Sequence, residues 1–196
     1  MNRTTIAAVG ALTALAATLS ACHSEKGADT GSVKVDHQIG TGDTAITVSF
    51  ATPKGWTVEQ SGPDLYLLPE GRHLSSGFSI KDRTEITDEK EAKKAGDVSV
   101  IEISALACGQ IQSQIASGGQ SQPVGVWTMY EMLDRIRTPV YSTVSDFALP
   151  SSDPSACTKA VPLVYASDSA PGGQPAKTPA VDTAKKDLLP GLTFTE

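Results

Sequence analysis

The sequence predicts an α+β domain, an antiparallel sheet with helices packed on it. Short runs of alternating apolar and polar residues recur between Gly- and Pro-rich turns, the period of a half-buried strand. In the middle of the chain the apolar spacing lengthens to that of a helix. Size sets a third bound: 196 residues, 39% hydrophobic and 19% charged, suffice for one hydrophobic core rather than two.

The folded body is expected over 44–196 and opens with "TAITVSFATPKGW". Ile46, Val48 and Phe50 alternate with Thr47 and Ser49 as in a strand. Pro53-Lys54-Gly55 makes a turn into a second strand at Trp56-Thr57-Val58, and Ser61-Gly62-Pro63-Asp64 turns again into "LYLLP". With a fourth strand at Gly77–Ile80 this reads as an antiparallel meander. Thr87-Asp88 then caps a charged helix over "EKEAKKAG". In "DVSVIEISALACGQIQSQIASGG", Ile101, Ala105, Cys108, Ile111 and Ile115 stand at helical spacing before a Gly-Gly stop, which predicts a helix over about 98–116. The competing reading is a strand at "VSVIEI" leading into a shorter helix. "VWTMYEMLDRIR" fits a helix that stops before Pro139, although period two fits its start nearly as well. "VYSTVSDFAL" and "AVPLVYAS" read as strands, "DSAPGGQPAKTPA" as a loop, and "TAKKDLLPGLTF" as a short helix and a last strand.

The amino-terminal region has a different character. Arg3 precedes an uncharged run from Ile6 to Leu19. About 14 helical residues span roughly 21 Å, short of the roughly 30 Å hydrocarbon core of a bilayer, which is the proportion of a secretory signal. The run closes with Leu19-Ser20-Ala21-Cys22, which resembles the lipobox of bacterial lipoproteins. The resemblance implies that residues 1–21 are a signal peptide, that the Cys22 thiol takes a diacylglyceryl group, and that cleavage exposes a new amino group that is often acylated. Only a thiol offers a nucleophile that forms a stable thioether. Two or three acyl chains, at about 0.8 kcal/mol per buried methylene, anchor a protein far beyond the hold of one chain. The expected address is the extracytoplasmic face of the cell membrane. The Ala/Thr-rich signal looks actinomycete, and His23 stands where an Asp would mark inner-membrane retention in Gram-negative lipoproteins. Residues 22–43, polar and Gly-rich, read as a flexible tether.

With Cys22 lipidated, Cys108 and Cys157 remain as an even pair in an oxidising compartment, and they are expected to form a disulfide. The alternatives are two separate buried thiols or metal ligation. His23, His37 and His73 are scattered away from both cysteines, so no metal site is expected.

"ITVSFATPKGWTV" resembles the first hairpin of PsbP-like domains, including the LpqN-type lipoproteins of actinomycetes, and "DTAKKDLLPGLTF" is similar to their closing helix and strand. This resemblance implies an antiparallel sheet with packed helices and no transferable active-site motif. It covers about 35 residues of the 196.

Composition narrows the function classes. A formal charge of −6 with no Lys/Arg cluster argues against nucleic acid as a partner. Aromatic residues, at 5%, argue against a carbohydrate- or base-stacking platform. Gly-x-Ser-x-Gly, His-Glu-x-x-His, phosphate-binding Gly loops and Cys-x-x-Cys are missing, so no cofactor is expected. A Ser–His–acid site assembled from distant residues would centre on His73, which otherwise reads as a surface histidine. Asp82, Glu85, Asp88 and Glu89 read as a solvated turn and helix start, or as a weak calcium site or docking face. Trp56 and Trp127 read as core residues or pocket walls. The expectation is a membrane-anchored, non-enzymatic binding or accessory module for an envelope protein or a small apolar ligand. The alternative is an envelope hydrolase.

Overall fold

In the computed structural model of the chain, residues 33–74, 90, 93, 96–133, 137 and 140–196 are described. The strands are β1 (Val35–Ile39), β2 (Ile46–Phe50), β3 (Trp56–Ser61), β4 (Asp64–Pro69), β5 (Val98–Ala107), β6 (Gly118–Val124), β7 (Trp127–Met132), β8 (Tyr141–Pro150), β9 (Ala160–Pro171) and β10 (Thr193–Thr195). Helix α1 spans Ile111–Ala116, and α2 spans Pro179–Thr183 and continues as a π-helical turn over Ala184–Leu188.

The strands form two antiparallel sheets. The large sheet has the order β3-β4-β5-β9-β8-β7-β6, and a small one has the order β1-β2-β10. Alternation assigns each side chain to a face. One face of the large sheet carries Leu65, Leu67, Ile101, Ile103, Met129, Val164 and Ala166. These pack against Ile39, Ile46, Val48 and Phe50 of the small sheet and against Ala180, Ala184, Leu188 and Leu189 of α2. This is the main core. Each fully buried Leu, Ile or Phe in it contributes about 1.5–3 kcal/mol relative to exposure. A smaller cluster lies on the opposite face, where Leu106, Phe147, Leu149, Val161 and Leu163 pack with Ile111 of α1.

Two polar details fix the layers. Asp168 of β9 points into the main core, 1% exposed. Its Oδ1 accepts from the Ala180 N–H at 3.0 Å and its Oδ2 from the Val181 N–H at 3.2 Å. The residue at the N-cap position of α2, Thr178, makes no side-chain cap, so a carboxylate ten residues upstream takes over that task. At the β1–β2 turn, Gly40 has φ 76°, and a Cβ there would lie 2.4 Å from the Thr44 carbonyl oxygen and 2.7 Å from the Ala105 side chain. Only glycine lets the turn sit on β5.

The edges of the large sheet are protected. Edge strand β6 carries Pro123, which has no N–H, and an irregularity in its pairing with β7 between Gly118 and Ser121. At the other edge the Gln60 side chain of β3 donates to the Gln38 carbonyl of β1 at 3.0 Å.

Several expectations are corrected. The helix over 98–116 is strand β5 as far as Ala107 and then the short α1, which is the competing reading. Strand β5 carries apolar residues at consecutive positions, at Val100–Ile101 and Ala105–Ala107, and its Ile101/Ala105 spacing mimics a helix by coincidence. Cys108 therefore follows the last residue of β5, at the start of a 3-10 turn, and is not on a helical stripe. The segment 126–132 is not helical either: Trp127–Met132 is β7, joined to β6 by a tight turn. The meander is broken at its first link, because β2 belongs to the small sheet and β3 to the large one. The spacer expected over 22–43 contains β1, paired along its whole length with β2. The strand expected at Gly77–Ile80 and the acidic cluster from Asp82 to Glu89 lie outside the described residues. Of the charged helix, Lys90 and Lys93 are described, and both are helical.

Replacing Asp168 by Ala should lower stability by about 2–3 kcal/mol, because two helix N–H groups lose their acceptors in a buried site. Asp168→Asn should cost less. Urea midpoints measured with unchanged slopes would check both values.

Candidate functional site

The face of the large sheet opposite the small sheet carries a row of side chains in direct cross-strand register. Glu59 of β3 stands opposite Tyr66 of β4, Tyr66 opposite Glu102 of β5, and Glu102 opposite Tyr165 of β9. Tyr165 stands opposite Phe147 of β8, and Phe147 opposite Tyr130 of β7. Three of the four tyrosines in the chain thus share one line across five strands. Cross-strand neighbours have Cβ atoms about 4.5–5.5 Å apart, so the row is continuous.

Phe147 is the buried pivot of the row, at 0% exposure. The Tyr130 ring stacks on it at 5.0 Å between centroids and 14° between planes, and Tyr165 tilts against it at 6.0 Å and 54°. Gly118 opens β6 beside this stack because a Cβ there would meet the Phe147 ring and the Tyr130 Cβ at 3.0 Å. Tyr66, Glu102, Tyr130 and Tyr165 are each partly exposed. The Gln114 side chain of α1 donates to the Tyr165 hydroxyl at 2.9 Å and ties the helix to the row. Beside the row, Ser145 pairs with Ser167 at 2.9 Å and Thr143 with Ser169 at 3.1 Å.

The electrostatics favour neutral phenols. Burial raises the Tyr66 pKa above its ordinary 10.0, and the charges of Glu102 and Asp64 raise it further. Burial also raises Tyr165; its bond from Gln114 opposes the shift and Glu102 adds to it. At neutral pH the row offers ring faces, hydroxyl donors and a carboxylate, a set suited to holding a molecule rather than to removing a proton from one.

The other candidate residues sit elsewhere. Cys108 and Cys157 form a disulfide, with S–S 1.99 Å and Cα–Cα 5.7 Å, at the end of β5. The Glu196 carboxylate lies close to both sulfurs. It accepts from the Thr158 N–H and hydroxyl, and the Thr158 hydroxyl is the first cause of its lowered pKa. Sulfurs joined to each other are not thiolates, so this group does not present a metal-ligand set. His73 is 67% exposed, with Nδ1 2.6 Å from Glu59 Oε1. The Glu59 pKa lies below its ordinary value, first because its carboxylate accepts from the Leu74 N–H and then because of His73. His37 stacks on Phe50 at 5.1 Å. Trp127 is core at 1% exposure, and Trp56 packs partly buried at the margin of that core. Cys22 lies outside the described residues. Two small cavities are lined by described residues: one of about 150 Å³ by Leu68, Arg72, Asp97 and Val98, and one of about 90 Å³ by Arg137, Ser142 and Val144. Both are below the size of an ordinary small-molecule site.

The tyrosine row was missed from the sequence because composition counts aromatic residues without placing them. The available signal was a tyrosine preceded by an apolar residue in "LYLL", "MYEM" and "LVYAS", which only strand register turns into a line. No family model, curated protein or solved structure matches the chain.

Glu102 raises both tyrosine pKa values, so Glu102→Gln should move the alkaline tyrosinate absorbance transition of the folded protein to lower pH. The raised values favour the neutral phenol in the fold, a contribution present below the unfolded value and lost as pH rises through the folded one. Burial, the first cause of both shifts, persists in the variant, so Tyr66 and Tyr165 should still titrate above the ordinary tyrosine value. An unmoved transition would separate Glu102 from the row.

Proposed function

We propose that this chain is a cell-envelope lipoprotein, held on the extracytoplasmic face of the membrane by acyl chains on Cys22. In this reading it acts as a non-enzymatic binding or accessory module for an envelope protein or a small apolar ligand. The Leu19-Ser20-Ala21-Cys22 sequence supports the address, and the Cys108–Cys157 disulfide is consistent with an oxidising compartment. The observation that carries the binding role is the partly exposed Tyr66–Glu102–Tyr165–Tyr130 row. Its rings and hydroxyls lie on rigid strands, where a site is held more firmly than on loops.

An envelope hydrolase is the second reading. The contact between His73 and Glu59 favours it, since an acid beside an imidazole is the orienting half of a catalytic triad. A 67% exposed imidazole sits in water, where such a pair has little leverage.

Protein from the native host should carry a mass increase of a diacylglyceryl group, with or without a further acyl chain, and should begin at Cys22. Cys22→Ala should move it from the membrane to the soluble fraction. A free chain still beginning at Met1 would overturn the address. Mild crosslinking before detergent extraction should capture a partner with wild type, and a Tyr66→Ala/Tyr165→Ala variant that remains folded should lose it. Unchanged capture would remove the row from the binding role.

A further inference from the structure

The strands of the large sheet run between two ends of different charge. At the proximal end β1 begins, with Val35 opposite Phe50; the chain then turns at Pro53–Gly55 into Trp56, which stands opposite Pro69. On the same end β8 and β9 meet at Tyr141 and Pro171. At the distal end lie the Cys108–Cys157 disulfide, the Ser61–Asp64 turn and the β1–β2 turn packed on Ala105.

Among the described residues whose place is set by strand register or by the adjoining turns, exposed cations gather proximally. Lys34 precedes β1, Lys54 lies in the β2–β3 turn, and Arg72 follows β4. Arg137 bridges to Ser142 at the start of β8, and Lys177 lies in the loop after β9. Three acids, Asp36, Glu70 and Asp97, share that end. The distal end reverses the balance: Asp43, Asp64, Asp153 and Glu196 stand there against Lys159. Val33 and Val35, 81% and 48% exposed, add apolar surface at the proximal end. Among the described residues placed in this way, cations outnumber acids at the proximal end and acids outnumber cations at the distal one, so in a chain of net charge −6 the proximal end meets an anionic surface with the lesser repulsion.

Chain length selects the same end. Cys22 and Val33 are eleven residues apart. Such a segment spans at most about 40 Å fully extended. Strand β5 alone, ten residues long, is about 33 Å from end to end. With an anchor at Cys22, turning the distal end toward the bilayer would bring the covalent connection close to its limit, whereas the proximal end makes no such demand.

We infer that the proximal end is a membrane-facing surface, resting through Lys34, Lys54, Arg72, Arg137 and Lys177 on anionic lipid headgroups, with the disulfide end turned outward. The inference rests on the lipid-anchor reading for its natural setting, and its test does not depend on natural acylation.

The chain from Cys22 onward is coupled through the Cys22 thiol to a maleimide phospholipid in vesicles; Cys108 and Cys157 are occupied by their disulfide. Amine acetylation at each lysine is then read by mass spectrometry. On vesicles rich in phosphatidylglycerol, Lys34, Lys54 and Lys177 should react several-fold more slowly than on pure phosphatidylcholine, while Lys159 is unchanged. Molar salt should abolish the difference, since it shortens the screening length to about 3 Å. Lys34→Glu/Lys54→Glu should restore the reactivity of Lys177. Protection of Lys159 equal to that of the others, or identical labelling on the two lipids, would overturn the inference. If native protein lacks acyl chains, the anchor reading fails by mass while the coupled chain still reports which end meets lipid.

Discussion

The fold depends on the ladder between β5 and β9. Ten register pairs run from Val98 opposite Ser169 to Ala107 opposite Ala160. Ile101, Ile103, Val164 and Ala166 of this pair are buried toward the small sheet and α2, and Val100, Leu106, Val161 and Leu163 are buried on the other face. Strands β4 and β3 extend the sheet from one side of the pair, and β8, β7 and β6 from the other. The ladder joins segments far apart in sequence, so its loop-closure entropy is met before its contacts reward it. The disulfide sits where the ladder ends, and the Cys108 N–H continues it by donating to the Lys159 carbonyl at 3.1 Å. A crosslink there restricts the unfolded chain at the pair on which the other strands are assembled, a contribution of around 4 kcal/mol in the chain-entropy model.

Local patterns were readable where a strand has one wet face. Ile46–Phe50 alternates cleanly because Thr47 and Ser49 point away from the core, and Tyr141–Pro150 and Ala160–Pro171 were legible as strands from their β-branched and aromatic content. The pattern failed where apolar side chains stand on both faces of one strand. Val98–Ala107 has apolar residues at consecutive positions, and periodicity alone does not separate such a strand from a buried helix. β1 was illegible for the opposite reason: Val35, His37 and Ile39 alternate too weakly, and the strand exists because β2 supplies its partner groups. The pairing of Cys108 with Cys157 was legible from the count of cysteines and the compartment, and the division of β2 and β3 between two sheets was not, since a short turn reads alike in either case.

The candidate site shows the same limit at the level of chemistry. Tyr66, Tyr130 and Tyr165 are separated by 64 and 35 residues in sequence and belong to one surface only through strand order. Glu102 lies between two of them because β5 lies between β4 and β9. A low aromatic content therefore says little about local aromatic density once a sheet has gathered its rings. Asp168 illustrates the converse, a carboxylate whose β-strand position conceals its work as the acceptor for a helix that starts after the next loop.

Under the proposed lipid anchor, the treatment of the sheet edges bears on how closely copies can crowd. Tethered domains meet side by side at concentrations that solution seldom reaches, and a bare strand edge under those conditions would recruit its neighbour into a growing ribbon. The missing N–H of Pro123 and the uneven pairing of Gly118–Ser121 deny β6 a regular template, and the Gln60 side chain fastens β3 to β1. The β6 edge of the large sheet is thus a poor template for a neighbouring copy.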